Sequence, residues 1–247
     1  MSRTIFAANW KMHKTAADTA AFLDAFLPKV AALPQHVEII IAPPFLSVPS
    51  AWPALRNTRV RLGAQTMHWE LEGAFTGEIS APMLREFGVS HVILGHSERR
   101  AHANETDETV RLKVRTALEQ GITPIVAVGE TQDQRKAGIT QEHVVGQTRA
   151  ALHQLSTGDL GRVILAYEPI WAIGTGQNCA PEEAQRVMAA IRGCLEGLNE
   201  TPILYGGSMN AQNVAGYVAQ PDINGGLVGG ASLDPEGFAN LIASATT

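Results

Sequence analysis

The chain has 247 residues, 45% of them hydrophobic and 17% charged, and its 23 glycines and 13 prolines are too few for a low-complexity or collagen-like polymer. This length can bury a substantial core, as one large domain or two small ones. A formal charge of −5 without a basic stripe argues against nucleic acid or an anionic membrane as a partner, and the two cysteines, Cys179 and Cys194, have neither disulfide-scaffold nor zinc spacing, which suits a reducing compartment.

The first apolar run goes from Thr4 to Ala8 and stops at Asn9 and Lys11, too short for the core of a secretory signal. No later run approaches the ~18 apolar residues of a membrane span, so a cytoplasmic protein with no membrane attachment is expected. The stretch from Ala16 to Val30 has helical apolar spacing. Further apolar runs go from Val37 to Ala42, Val60 to Ala64, His91 to Gly95, Thr123 to Val128, Val163 to Tyr167, Pro202 to Tyr205 and Gly226 to Val228. Most lack period-2 alternation and contain β-branched residues, the pattern of strands covered on both faces in a parallel sheet. Helical patterns lie between them, from Glu105 to Gln120, Thr140 to Leu155 and Glu182 to Glu196 among others. Gly88 and Gly121 stand where left-handed helix ends fall, and Asp234-Pro235 reads as a cap and first helical residue. The run starts lie about 32 residues apart, the length of a strand plus a crossover helix. They predict a single-domain (β/α)8 barrel over residues 1–247, with no linker to divide it; an open doubly wound sheet with extra strands is the alternative.

In parallel α/β folds ligands bind at the carboxyl ends of the strands, so the residues after each run carry the functional reading. Asn9-Trp10-Lys11 follow the first run, His96-Ser97-Glu98 the fourth, Glu168 the sixth, Gly206-Gly207-Ser208 the seventh and Gly229-Gly230 the eighth. Of the five lysines only Lys11 directly follows a strand; Lys14, Lys29, Lys113 and Lys136 suit helix surfaces or loops. Alone, Lys11 reads as an ion pair, but a His, a Glu and two glycine pairs on the same rim turn the reading toward a site. The glycine pairs offer backbone N–H groups ahead of predicted helix starts, a geometry that binds phosphate.

Three carboxylates could serve as a base: Glu98, Glu130 and Glu168. Glu98, beside Arg99-Arg100, also reads as an ion pair or helix-start residue, and Glu130 as a helix cap. Glu168 precedes an apolar, glycine-containing segment, from Pro169 to Gly176, suited to excluding water. His96 sits at a predicted helix N-terminus, which disfavours the imidazolium and leaves a neutral hydrogen-bond donor. There is no H-E-x-x-H, and no metal site is expected. The connection from Gln65 to Ile79 carries Met67, Trp69, Leu71 and Phe75, an apolar load that a symmetric partner would cover; a loop folded on its own barrel is the alternative. Cys179 lies just before a helix start that favours a thiolate, opposed by Glu182 and Glu183, while Cys194 reads as a small core residue of a helix.

Six segments in order resemble those of the triosephosphate isomerase family over essentially the whole chain: Ala8-Asn9-Trp10-Lys11, Gly73 to Glu78, Gly95 to Arg100, Ala166 to Gly176, Tyr205 to Ser208 and Val228 to Leu233. The resemblance implies a TIM barrel that interconverts dihydroxyacetone phosphate and D-glyceraldehyde 3-phosphate through an enediol(ate), in glycolysis and gluconeogenesis. It makes Glu168 the base, His96 the electrophile, Asn9 and Lys11 substrate contacts, and Gly174, Ser208, Gly229 and Gly230 phosphate contacts. It also implies no metal or organic cofactor and a homodimer through residues 65–79, with Thr76 reaching toward the neighbour's site near Asn9 and Lys11. A carboxylate base, a neutral His and a closing loop are established for this family, so that assignment comes with the resemblance. Gln177-Asn178-Cys179 depart from a Lys-Thr-Ala-like end, Thr66 from Asn, Ala127 from Cys, Asn224 from Asp, and Ala101-His102-Ala103 from a more aromatic stretch. None removes a group the reaction needs. Two rivals stand beside this reading: a Schiff-base aldolase built on Lys11, and a catalytically silent phosphate-binding barrel.

Overall fold

The apolar runs become strands in a computed structural model that describes residues 3–173 and 178–246. In chain order the elements are β1 (Thr4–Asn9), α1 (Ala16–Val30), β2 (Val37–Ala42), α2 (Val48–Leu55), β3 (Arg61–Ala64), α3 (Ala81–Glu86), β4 (His91–Leu94), α4 (Ser97–His102), α5 (Asp107–Glu119) and β5 (Thr123–Val128). The second half continues with α6 (Gln132–Lys136), α7 (Thr140–Ala151), α8 (Thr157–Leu160), β6 (Ile164–Tyr167), α9 (Pro181–Arg192), β7 (Ile203–Tyr205), α10 (Val214–Val218), β8 (Gly225–Val228) and α11 (Pro235–Ser244). Each strand pairs in parallel with the next, and β8 returns to β1 with Ile5 opposite Gly225 and Ala8 opposite Val228. The sheet closes, so the architecture is a (β/α)8 barrel and not an open sheet.

The missing alternation in the sequence has its cause in two dry layers. Ile5, Ala7, Ile40, Ile93, Ile125, Ile164, Ala166, Leu204 and Leu227 form one buried cluster, in the barrel interior. The intervening Phe6, Ile39, Ile41, Val92, Leu94, Val126, Val128, Leu165 and Tyr167 belong to another, beneath the helices. Successive strand residues point to opposite faces and both faces are covered. Burying a large apolar side chain is worth ~1.5–3 kcal/mol, which leaves polar residues the strand ends, where the chain leaves both layers.

The first of those ends is fixed by aromatic packing. Thr15 and Asp18 exchange bonds at the start of α1, the side chain of each accepting the other's backbone N–H. The helix buries Phe22, Phe26 and Val30. Its ridge runs from Trp10 (ring centroids 4.7 Å from Phe22) to Phe238 of α11 (5.4 Å from Phe26). Trp10 Nε1 also donates to the Ser232 carbonyl at 3.1 Å. With Trp10 held on the helix side, its neighbours Asn9 and Lys11 face the barrel mouth.

Helix ends differ from the periodicity where a cap or glycine intervenes. Thr106 caps α5 and leaves Glu105 outside it; α9 stops before Gly193, so Cys194 is buried but beyond the helix; α7 ends at Ala151. Gly88 and Gly121 are left-handed, with φ of 64° and 72°, and the Asp234 side chain accepts the Gly237 N–H. Lys113 corrects the expectation of a surface lysine: it is buried in α5, paired with Glu105, and donates to Thr66 Oγ1 at 3.2 Å. Burial would raise the Glu105 carboxyl, but Lys113 and Arg99, the latter 2.7 Å away, hold it below its ordinary value. Part of the apolar load of residues 65–79 is absorbed locally. Met67 is buried in its own chain and His68 stacks on Trp69, whereas Leu71 and Phe75 stay 43% exposed. Among the described residues no helix is long and apolar enough to cross a membrane.

Candidate active site

Three strand ends bring the polar groups together. After Asn9 the chain turns sharply, and Lys11 takes a φ of 52°, a left-handed conformation that costs a residue with a side chain of order 1–3 kcal/mol. Two bonds hold it there: the Lys11 N–H donates to Asn9 Oδ1 at 3.1 Å, and Gln65 Nε2 donates to the Lys11 carbonyl at 2.8 Å. The ammonium ends 2.6 Å from Glu98 Oε1, so Glu98 has the ion-pair role expected of it.

His96 caps the start of α4, where its Nδ1 accepts the Glu98 N–H at 3.2 Å. Its Nε2 lies 2.8 Å from Glu168 Oε1. Burial opposes the imidazolium, the Glu168 carboxylate favours it, and the balance in this pair raises the His96 pKa. The bond at Nδ1 nevertheless needs a lone pair, which an imidazolium lacks, so this hydrogen-bond pattern assigns the neutral Nε2–H tautomer. Glu168 is 2% exposed and its Oε2 accepts the Ser97 N–H at 2.9 Å. Burial alone would raise its carboxyl; His96, the Ser97 N–H and Lys11 together hold it below the ordinary value, in the ionised form a base needs.

Two glycines make room for Glu168. A Cβ on Gly129 would lie 1.8 Å from the Glu168 carbonyl oxygen, and one on Gly206 would lie 2.9 Å from Glu168 Cγ. Asn9, Lys11, His96 and Glu168 line a cavity of about 260 Å³ together with Gly206, Gly207, Ser208, Gly229 and Gly230. Such a site has a buried carboxylate, a neutral N–H donor, an ammonium and glycine backbone in one small space. That set can move a proton at carbon while stabilising charge on oxygen.

Residues 4–245 match the family model described as triosephosphate isomerase. The chain is 48% identical to the triosephosphate isomerase of a Synechocystis species over 98% of both chains, and 47% identical to that of Solibacter usitatus over 98% of this chain and 99% of that one. The chain belongs to the triosephosphate isomerase family. Membership makes it an isomerase, and among the described residues no group of His, Cys, Asp and Glu could hold a metal ion.

The rim of this triosephosphate isomerase fold differs in several places from what the sequence predicts. Gly174 lies outside the described residues. The turn from Gly206 to Ser208 does not abut a helix, since α10 begins only at Val214, and Gly229-Gly230 lead into a short 3-10 turn, Gly230–Ser232, ahead of α11. Any attraction for anions at these turns comes from local N–H groups and not from a long helix dipole. Ser208 Oγ donates to the Ala172 carbonyl at 3.1 Å. Glu130 is neither at the cavity nor a cap. Fully buried, it accepts bonds from Tyr167 Oη (3.1 Å) and Trp171 Nε1 (2.8 Å), while Thr131 caps α6; burial raises its carboxyl pKa. Cys179 is buried as well, which pushes its thiol up to about 12, so of the opposed influences read at this helix start the one favouring a thiolate does not prevail. Asn210 at the cavity and the part played by Gly129 have no counterpart in the sequence reading, and Gln65 figures there only as the start of a connection, although it directly follows β3, where the strand-end rule points to it.

Proposed function

We propose that Glu168, His96, Lys11 and Asn9 carry out the interconversion of dihydroxyacetone phosphate and D-glyceraldehyde 3-phosphate. The observation that carries this reading is that all four line one cavity with Ser208, Gly229 and Gly230. The substrate's phosphate would be held by Ser208, Gly229 and Gly230, with Gly174 as a further contact, and its binding energy fixes the reacting carbons. Both Glu168 oxygens are engaged in the free enzyme, so a substrate oxygen must take over the His96 Nε2–H before the carboxylate can reach carbon.

Glu168 then removes a proton from the carbon beside the carbonyl. The C–H electron pair forms the carbon–carbon double bond, and the carbonyl pair moves to oxygen. That oxygen is stabilised by the His96 N–H and the Lys11 ammonium, with Asn9 contacting the substrate. His96 transfers a proton between the two enediol oxygens, and Glu168 returns its proton to the neighbouring carbon. The Schiff-base rival needs a neutral amine at Lys11, and the 2.6 Å ion pair with Glu98 speaks against it.

The same reading takes residues 1–247 as a single cytoplasmic domain that works as a homodimer through residues 65–79. Met12 and Leu46 are 94% and 90% exposed, and Leu71 and Phe75 are partly so. Gln65 donates to the carbonyls of both Lys11 and Ala42, which ties that segment to the Met12 side of the barrel mouth. Thr76 would reach toward the neighbour's Asn9 and Lys11. Phe75→Glu is expected to halve the solution mass and depress turnover; a monomeric native protein at micromolar concentration with full activity would contradict the dimer.

Turnover in a coupled isomerase assay tests the choice of base. Glu168→Asp should withdraw the carboxylate by about one methylene and lower kcat ~100-fold, with less change in KM. Full kcat in Glu168→Asp, with turnover abolished in Glu98→Asp or Glu130→Asp, would show that another carboxylate is the base.

A further inference from the structure

Strand β5 ends at Val128, and the residues just past it hold the backbone of Glu168. The Val128 carbonyl accepts the Glu168 N–H at 2.8 Å, and the Glu130 carbonyl accepts the Ile170 N–H at 3.1 Å. Gly129, between them, lies hard against Glu168: a Cβ on Gly129 would come 1.8 Å from the Glu168 carbonyl oxygen and 3.1 Å from Glu168 Cβ. The Gly129 N–H is buried and stands outside the strand ladder, which stops where Val128 faces Tyr167. A buried N–H so placed needs an acceptor from elsewhere. Gln147 of α7 supplies it, its Oε1 accepting the Gly129 N–H at 2.8 Å. Gln147 is a polar exception on a dry face: its neighbours on that side of α7 include Val144, Thr148 and Ala151, all buried, and it is itself only 8% exposed. The Thr148 hydroxyl is satisfied inside the helix, donating to the Val144 carbonyl at 2.7 Å, whereas the Gln147 amide reaches out of it to β5.

Gln147 does not line the cavity, and the reaction gives its amide no task. We infer that Gln147 is a positioning residue for the base: by holding the Gly129 N–H it fixes the end of β5 on which Glu168 is seated, and so sets the place of the Glu168 carboxylate against the reacting carbon. This inference rests on the reading of Glu168 as the base. Without the Gln147 oxygen, the Gly129 N–H is left unpaired in a dry interior and regains a bond only by moving or by admitting water. Glu168 meets Gly129 through both its carbonyl and its Cβ, so it moves with that glycine. A base displaced by a few tenths of an ångström attacks carbon less well, a cost felt in the chemical step. Ser208, Gly229 and Gly230 follow β7 and β8, and Asn9 and Lys11 lie at the end of β1, so the grip on the substrate keeps its geometry. The loss therefore falls on kcat and not on binding.

Gln147→Met keeps the length of the side chain and removes the oxygen. Steady-state kcat and KM for the triose phosphate are measured beside competitive inhibition by inorganic phosphate, with Tm recorded to confirm folding. The turnover number should fall about 5–20-fold, a share of the ~100-fold that a misplacement near 1 Å can cost, while KM and the phosphate inhibition constant stay within about twofold. Gln147→Asn, which keeps the amide but draws it back by about one methylene, should show the same split and serves if Gln147→Met is too unstable to assay. Val144→Ala is the control for packing: it opens a cavity in the same helix, so Tm should fall with kcat held within about twofold. In a Glu168→Asp background, where the carboxylate is already withdrawn, Gln147→Met should cost less than about twofold, because both changes disturb one placement. Unchanged kcat in the Gln147 variants, an equal loss of kcat in Val144→Ala, or losses that multiply in the Glu168→Asp background would overturn the inference. Glu168→Asp alone separates the two levels. If it keeps full kcat, the reading of Glu168 as the base falls; if it loses about 100-fold while Gln147→Met loses nothing, only the role of Gln147 falls.

Discussion

Strand β4 has a buried histidine at its start and another two residues past its end, each beside a glutamate. His91, at the amino end, has Nε2 3.3 Å from Glu38 Oε1 and Nδ1 2.9 Å from Ser90 Oγ. His96, past the carboxyl end, has Nε2 2.8 Å from Glu168. Both are 5% exposed, so burial does not distinguish them. The carboxylates do. Glu38 also accepts from Arg3 at 2.8 Å, a permanent charge; against the cost of burial, His91 first and Arg3 after it hold its carboxyl at about 2. Glu168 has no guanidinium; its partners are a backbone N–H and a histidine, and the pair faces a cavity where a substrate oxygen can take over the His96 bond. A Glu–His pair is structural when a fixed cation completes it and reactive when its bonds can be exchanged with a ligand.

The comparison is broken most sharply by the histidines themselves. His96→Gln should lower kcat by about 100-fold or more, the scale of a lost acid–base group, whereas His91→Gln should change it less than about twofold. Steady-state kinetics of the two variants decide this, and equal losses would erase the distinction.

Glu38 gives a smaller effect with a definite pH signature. Its folded pKa of about 2 lies below the ordinary 4.5, so the fold favours the ionised form. The stability it supplies is fully present above about pH 4.5 and is lost as the pH falls toward about 2. Glu38→Gln should lower Tm by about 2–8 °C at pH 7, and the gap to the parent should close through that acidic window. A gap that persists at pH 2 would mean that packing, and not charge, is what the variant removes.

The smallest effect lies at Cys179, where burial is the main cause that raises a thiol. Alkylation followed by mass spectrometry should be slow at both thiols of the native protein, and a phosphate-bearing substrate analogue should slow it further at Cys179 but not at Cys194. Equal rates at Cys179 with and without the analogue would show that its exposure does not follow the site.

The barrel and its reactive rim were legible in the sequence for one physical reason: a strand buried on both faces tolerates polar residues only at its ends, so Asn9, Lys11, His96 and Glu168 stand out against the apolar runs. What escaped depends on partners distant in sequence. Lys113 looks like a surface lysine until Thr66 and Glu105 are brought to it, and Glu130 looks like a cap until Tyr167 and Trp171 close over it. Gly206 reads as half of a phosphate-binding glycine pair and Gly129 only as the residue before Glu130, yet both also leave space for Glu168 from the two strands beside its own. Helix ends at Thr106 and Gly193 were set by local capping that the apolar period does not encode.

The contrast between the two carboxylates is tested most directly by measuring kcat and Tm together for Glu168→Gln and Glu38→Gln at pH 7. Glu168→Gln should lose at least about 100-fold in kcat whatever its Tm, because the carboxylate is the base; Glu38→Gln should lose Tm and keep kcat within about twofold. Full turnover in Glu168→Gln, or a loss of turnover in Glu38→Gln as large as in Glu168→Gln, would contradict the account.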